Sequence, residues 1–281
     1  MESSKSKKLK TGLIVAGSAA AALGFATFLV APGCVDKKTR AGFEGRNYAH
    51  RGLHKIDKSV PENSLPAFDA AAKIGYGVEL DVHITADGRL VVFHDDTTDR
   101  VCGVEGRIED MTWAEIAALR LCGTEYGVPL LSDVLAVIRN RCPMIVELKR
   151  GGNNRELCRK TYELLTQYGG RYCIESFDPT IVLWFRVHAP KVLRGQLASN
   201  PIEMAKGTSK LAAFAVGNLL TNFLTRPQFI AYGLEGRKPL TVKWCEFLGA
   251  MKVAWTSREW KNEEHNDAVI FQFYRPRVKY K

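Results

Sequence analysis

The chain has 281 residues, 46% of them apolar, and a formal net charge of +10. This apolar fraction can bury a substantial core, which excludes a disordered chain, and the length predicts one large domain or two small ones. Apart from a basic tail over residues 1–10, the positive charge is dispersed. The composition therefore predicts no nucleic-acid partner and favours an anionic substrate or an anionic lipid surface.

The segment that follows the basic tail, residues 11–35, carries no charge. A bilayer core is spanned by about 20 consecutive apolar residues in helical form. The segment therefore predicts one N-terminal transmembrane helix, an uncleaved single-pass signal anchor. A cleaved secretory signal, lipoprotein-type processing at Cys34 and a buried soluble helix are the alternatives. The basic residues on either side weakly favour an extracytoplasmic location for the later domain.

After a linker over residues 36–46, β-like and helix-like runs alternate through residues 47–281. Alternation of this kind predicts an α/β fold with a parallel sheet and crossover helices. About eight such units favour a closed (β/α)₈ TIM barrel over a doubly wound open sheet, because no Gly-x-Gly-x-x-Gly follows the first strand. The predicted strands are 47–50, 77–85, 90–94, 144–149, 172–177, 192–197, 229–232, 252–256 and 268–273.

The chain has seven cysteines, an odd number at wide spacing, and none forms a Cys-x-x-Cys pair. This usage argues against a disulfide scaffold and against a cysteine-based zinc site. We expect mostly reduced, buried thiols.

Carboxylates recur on one face of two apolar strands. In "GVELDVHIT", Glu79 and Asp81 are two residues apart and project the same way, and in "MIVELKR" the same holds for Glu147 and Lys149. Strand ends facing solvent and a surface ion pair are the alternatives. If both strands belong to one barrel, their carboxyl ends meet at one mouth, where the three carboxylates could bind a hard divalent cation, Ca²⁺ or Mg²⁺.

Two histidines end β-like runs: His50 in "YAHRGLH" and His94 in "LVVFHDD". Either alone is more often structural, but together near carboxylate-bearing strands they suit general acid and general base roles. Arg51 adds a bidentate group suited to phosphate. This set predicts displacement at a phosphodiester, whereas His54 has no predicted role beyond the rim or a loop.

The motifs "AHRG", "PENSLPAF", "VELDVHITADGRLVVFHDD", "VELK" and "ESFDP" resemble those of the glycerophosphodiester phosphodiesterases. The resemblance runs from Tyr48 to about Arg277. It implies a (β/α)₈ barrel with a small insertion after the second strand, at about residues 85–121. It also implies a phosphoric diester hydrolase that converts glycerophosphodiesters to glycerol 3-phosphate and an alcohol.

By resemblance, His50 and His94 are the acid/base pair, Glu79, Asp81 and Glu147 bind one divalent cation, and Arg51 and Lys149 contact the phosphate. Four further residues are weaker candidates. Glu62 and Asn63 support the site or simply open a helix, and Phe177 and Trp255 line the alcohol pocket or pack in the core.

Two alternatives to the glycerophosphodiesterase activity stay open. The first is a lysophospholipase D, which acts on a lipid that keeps one acyl chain. The second is a non-catalytic, membrane-anchored barrel that binds phosphate. The segment "SREWKNEEHND" is longer than the turn common in the family, which leaves the head-group preference open.

Overall fold

Eight parallel strands close into a barrel in the computed structural model, which describes residues 2–235 and 239–281. Closure occurs where the first strand pairs with both the second and the last. One additional short strand, Leu90–Val92, pairs antiparallel with the barrel strand Gly77–Ile84. The strands are β1 (Arg46–Ala49), β2 (Gly77–Ile84), β3 (Leu90–Val92), β4 (Met144–Leu148), β5 (Tyr172–Ser176), β6 (Arg194–Ala198), β7 (Phe229–Gly233), β8 (Met251–Ser257) and β9 (Ala268–Phe271).

Helices connect the strands and cover the outside of the barrel. The helix Leu65–Ile74 is typical. Ser64 caps its first turn, Gly75 ends it at φ 95°, and one face buries Phe68 and three alanines. The helices are α1 (Glu2–Val30), α2 (Lys37–Ala41), α3 (Leu65–Ile74), α4 (Asp99–Cys102), α5 (Trp113–Ala117), α6 (Leu131–Ile138), α7 (Asn154–Tyr168), α8 (Pro179–His188), α9 (Pro201–Met204), α10 (Lys210–Gly217), α11 (Asn222–Thr225) and α12 (Leu240–Phe247).

The closed barrel confirms the predicted fold class and excludes the doubly wound alternative. Every predicted strand is present, with ends within two residues of those expected. Between β3 and β4 the chain forms two short helices, α4 and α5, before α6, and this part packs its own small core around Ile108 and Ile116.

Alternation along the strands divides the side chains into two layers. Val78, Leu80 and Val82 of β2 point outward, where they pack against the helices. The inward side chains form an apolar plug at the amino ends of the strands, with Tyr48 and Phe229 fully buried in it. The polar inward residues come next along the strands, so the barrel interior changes from apolar to charged towards its carboxyl-end mouth.

The N-terminal helix α1 ends against the barrel wall. Arg226 Nη1 donates to the carbonyl oxygens of Phe28 (3.0 Å) and Ala31 (2.9 Å), and Asn222 Nδ2 donates to that of Val30 (3.0 Å). Within residues 2–235 and 239–281, no helix combines the length and the apolar character needed to cross a bilayer. The predicted transmembrane helix over 11–35 is therefore not supported. The helix ends at Val30 rather than at residue 35.

All seven cysteines are free, and four of them are buried. The burial agrees with the expectation of mostly buried thiols, and their reduced state stays a prediction.

Candidate active site

Three carboxylates from two adjacent strands meet inside the mouth of the barrel. Glu79 and Asp81 of β2 and Glu147 of β4 are all buried, and one oxygen of each lies within 4.8 Å of the other two. The parallel register that sets Asp81 beside Glu147 brings them together. Burial, reinforced by the charges of Asp81 and Glu147, raises the pKa of Glu79 well above its usual value. Buried carboxylates of this kind need a cation, and an all-oxygen set suits Ca²⁺ or Mg²⁺. The residues present therefore fit the predicted divalent cation.

Two cationic side chains border this acidic cluster. Lys149 Nζ lies 2.9 Å from Glu147 Oε1 and 3.2 Å from Asp81 Oδ1. Burial alone would lower the pKa of Lys149, but the two carboxylates raise it, so the ammonium stays charged. On the other side Arg51 Nε lies 3.6 Å from Asp81 Oδ2, and the Arg51 backbone N–H donates to Glu79 Oε2 at 3.0 Å. Both predicted phosphate ligands thus face the carboxylates.

His50 follows β1 and lies on the barrel wall beside the cluster. Its Nε2 is 4.0 Å from Glu79 Oε2, and its Nδ1 is 2.9 Å from Oε1 of Gln272. Burial, followed by the charge of Arg51, lowers the pKa of His50 to about 3. The free protein therefore holds this imidazole in its neutral form at neutral pH.

His94 lies just beyond β3, in the segment between β3 and β4, and is near enough to the cluster to interact electrostatically with Asp81 and Glu147. Its Nδ1 is 2.5 Å from Asp95 Oδ1. Burial would raise the pKa of Asp95, but hydrogen bonds from His94 and Arg100 lower it, so the carboxylate is charged. A charged carboxylate can only accept, so Nδ1 of His94 carries a proton and this hydrogen bond fixes the ring.

Glu62 connects the two halves of the site. One of its oxygens, Oε1, accepts from Arg51 Nη1 (2.8 Å) and from Arg100 Nη2 (2.6 Å). Arg100 Nε also donates to Asp95. Burial opposes ionisation of Glu62, but Arg100 and Arg51 lower its pKa to about 2. A charged network therefore runs from the His50 side to the His94 side.

The sequence leaves two roles open at the start of α3, helix capping and support of the site. Ser64 has the first role and Asn63 has the second. Ser64 caps α3, and its Oγ accepts from the Ala67 N–H at 3.4 Å. Asn63 instead donates from Nδ2 to Asp81 Oδ2 at 2.8 Å and is buried. Asn63 therefore supports a carboxylate of the cluster rather than the helix terminus.

The two aromatic candidates form a pair on the far wall of the mouth. Phe177 and Trp255 pack edge to face, with ring centroids 5.6 Å apart. The Trp255 indole N–H donates to the carbonyl oxygen of Ala231 at 2.8 Å, which fixes the ring against the barrel. Both side chains are half-buried, so they close one side of the mouth and keep a face open to it.

Several polar residues at the site were missed by the sequence reasoning. Gln272 continues the inward alternation of Ala268 and Ile270, so the period of two contained a signal for it. Glu175 lies opposite Glu147 in the sheet register, and its Oε2 has no hydrogen-bond partner among the described residues. Arg100 lies in an irregular segment, where no periodicity indicates its position.

Comparison with known proteins gives a single family. The model of the glycerophosphoryl diester phosphodiesterase family matches residues 50–272. A glycerophosphodiester phosphodiesterase of Caldanaerobacter subterraneus subsp. tengcongensis is 40% identical over 112 residues, which cover 37% of this chain and 44% of that protein. Human lysophospholipase D GDPD1 is 31% identical over 150 residues, which cover 49% and 46%. The match to each thus spans less than half of the relative's length.

A solved structure agrees with these sequence matches. The crystal structure of a glycerophosphodiester phosphodiesterase from Parabacteroides distasonis superposes with a TM-score of 0.62 at 26% identity, over 82% of this chain and 94% of that one. The family match begins at His50, directly after β1, and ends at Gln272, so it includes both histidines and the three clustered carboxylates. The chain belongs to the glycerophosphoryl diester phosphodiesterase family.

Proposed function

We propose that the protein hydrolyses glycerophosphodiesters to glycerol 3-phosphate and an alcohol, with one divalent cation bound by Glu79, Asp81 and Glu147. One observation carries the proposal. Two histidines on different parts of the barrel, each held through Nδ1, adjoin a single buried carboxylate cluster. This arrangement suits two proton transfers on opposite sides of one phosphate.

The two cationic side chains would bind the phosphate. Arg51 and Lys149 lie on either side of Asp81, so a phosphate at the mouth would meet a guanidinium and an ammonium together. Their charges offset the negative charge that develops on the non-bridging oxygens. A bound divalent cation adds Lewis-acid polarisation of the same phosphate.

The histidines move the protons. One removes a proton from the attacking hydroxyl, and the other protonates the departing alkoxide. The attacking group is either water or the free 2-hydroxyl of the glycerol moiety, which would give a cyclic phosphate first. The first displacement on either route needs these two proton transfers, and the cyclic phosphate would then be opened by water with a second pair of transfers that returns the proton to the 2-oxygen.

A lysophospholipase D activity is the second candidate. Its support is the half-buried Phe177–Trp255 pair at the mouth, which offers an apolar wall to a substrate that keeps an acyl chain. A human relative bears that name. The non-catalytic alternative keeps the phosphate contacts but predicts no turnover.

Assays of the full-length protein test these activities. Glycerophosphocholine, glycerophosphoethanolamine, glycerophosphoglycerol and lysophosphatidylcholine would each be supplied with Ca²⁺ or Mg²⁺ and then with excess chelator. We expect glycerol 3-phosphate release from the deacylated diesters and its loss on chelation. Turnover of lysophosphatidylcholine alone would favour the second candidate, and no turnover of any substrate would reject both.

The location of the protein is a separate proposal that rests on the sequence alone. The basic tail and the charge-free segment 11–35 would bring the protein to a membrane, with the barrel on the extracytoplasmic side. Fractionation of cells that express the full chain, followed by protease treatment of intact cells, tests this. Recovery of the protein in the soluble cytosolic fraction would reject it.

A further inference from the structure

We propose that His54 and Gln272 form a hydrogen-bond relay that fixes the tautomer of His50 and leaves its Nε2 free to accept a proton. Both are positioning residues, because they act through His50 rather than on the substrate. The inference rests on the proposed function in one respect, namely that His50 takes part in proton transfer.

The relay is assembled by the strand register at the point where the barrel closes. Ala49 of β1 lies beside Phe271 of β9, so the next residues, His50 and Gln272, are also neighbours. The His50 backbone N–H donates to the Phe271 carbonyl oxygen at 3.0 Å. Alternation turns both side chains inward, where Nδ1 of His50 meets Oε1 of Gln272 at 2.9 Å.

The direction of each hydrogen bond follows from a backbone carbonyl at the start of the relay. The carbonyl oxygen of Gly52 can only accept, and His54 Nδ1 lies 3.2 Å from it, so this nitrogen carries the proton. Burial lowers the pKa of His54, which favours the neutral ring. The Nε2 of His54 is then an acceptor.

Gln272 in turn determines which ring nitrogen of His50 carries the proton. Its Nε2 lies 3.3 Å from Nε2 of His54 and donates to it, so its Oε1 is the atom that faces His50. An amide oxygen only accepts, and the proton of His50 must therefore be on Nδ1. The flipped amide would set an oxygen against the lone pair of His54 and lose that bond, which makes the observed orientation the favoured one.

The consequence for His50 is a free lone pair on Nε2, the nitrogen that faces Glu79 and the carboxylate cluster at 4.0 Å. A histidine whose other tautomer was populated would present a proton there and could not act as a base. His54 is itself held by an edge contact with Phe273, at 5.0 Å between ring centroids. The relay thus gives His54, for which the sequence offered no role, a place at the site.

The direct test is the tautomer of His50 in the ¹⁵N NMR spectrum of the full-length protein with labelled histidine, which requires no substrate. We expect protonated Nδ1 and unprotonated Nε2 in the wild type. Gln272→Met, which keeps the size but removes both polar atoms, should give a mixture of tautomers. So should His54→Phe, which keeps the ring contact. His188→Phe, at an exposed histidine of α8, is the control and should leave His50 unchanged.

Kinetics of paired variants add a second test. Removal of a group that orients an active-site histidine should lower kcat about tenfold or more with KM nearly constant, and we expect this of His54→Phe and Gln272→Met. Gln272→Glu keeps an acceptor for His50 Nδ1 and should retain kcat within about fivefold. In the Gln272→Glu background, His54→Phe should lower kcat little further.

Two results would overturn the relay. One is a wild-type spectrum with the proton of His50 on Nε2. The other is an equal loss from His54→Phe in the wild-type and Gln272→Glu backgrounds, which would indicate that His54 acts independently of Gln272. An inactive wild type with the expected His50 tautomer would instead reject the proposed function and leave the relay intact.

Discussion

The two histidines of the site occupy different environments. The side chain of His50 is 15% exposed, follows a barrel strand, and contacts the neutral amide of Gln272 through Nδ1. The side chain of His94 is 31% exposed, lies in the segment after β3, and contacts the charged carboxylate of Asp95. One histidine is thus held by the rigid barrel and uncharged partners, and the other by a charged network outside it.

This difference suggests a division of labour. A neutral amide partner gives the imidazolium of His50 little stabilisation, and burial of the ring with the charge of Arg51 already lowers its pKa to about 3. His94 instead donates from Nδ1 to a charged carboxylate and is the more exposed of the two rings. We therefore propose that His50 accepts the proton of the attacking hydroxyl and that His94 protonates the leaving group.

The largest expected effect comes from removing either ring. His50→Asn and His94→Asn should each lower kcat on a glycerophosphodiester by roughly 10²- to 10⁴-fold, the usual contribution of a general acid or base. Both side chains lie at the mouth rather than in the apolar plug, so the thermal unfolding temperature should change little. Near wild-type turnover in either variant would show that the substituted histidine is not a general acid or base.

A smaller effect should follow from loss of the charge beside His94. Asp95→Asn removes the carboxylate that accepts from His94 Nδ1 and holds the ring in place, and we expect kcat to fall about 10- to 100-fold on glycerophosphocholine with His50 unaffected. Asp96→Asn is the matched control, because its side chain is the next along the chain and is exposed. Equal losses in the two variants would point to a general effect of negative charge in this segment.

The smallest effect concerns the stability of the charged network. The pKa of Glu62 is lowered from 4.5 to about 2, so the unfolded chain takes up a proton at Glu62 as pH falls below about 4.5 while the folded protein does not. Its contribution is therefore complete above that pH and is lost as pH falls towards 2. When the pH is lowered from 6 to 3, the unfolding free energy of the wild type should therefore fall by about 1 to 2 kcal/mol more than that of Glu62→Gln.

Urea denaturation of the metal-free protein at a series of pH values measures this difference. The two proteins share all other titrating groups, so their difference isolates Glu62. Parallel curves across the range would indicate that the contacts of Glu62 with Arg51 and Arg100 add no stability, and the network would then serve only to position side chains at the site.

Much of the fold and the core of the site could be predicted from the sequence because both depend on local periodicity. Glu79 and Asp81 are two residues apart in an apolar strand, and that spacing alone puts both carboxylates on one face. The parallel arrangement then brings Glu147 to them. The positions of His50 and His94 at the ends of β-like runs suggested acid and base roles, the resemblance to the family implies the same roles, and both stay predictions.

The partners of the histidines could not be predicted because they depend on long-range closure. His50 and Gln272 are 222 residues apart and become neighbours only when β9 returns to β1. Arg100 reaches Glu62 from an irregular segment whose path no pattern specifies. For the N-terminal run, absence of charge predicted a membrane span, and no helix within the described residues combines the length and the apolar character that a span needs.

The division of labour between the two histidines is tested most directly with a leaving group that needs no proton. Glycerol 3-phosphate esterified to p-nitrophenol and glycerophosphocholine would be compared as substrates for His50→Asn and His94→Asn. We predict that the p-nitrophenyl ester largely restores turnover in His94→Asn, because p-nitrophenolate leaves without an acid, and that His50→Asn stays inactive on both. Restoration in His50→Asn but not in His94→Asn would contradict the assignment.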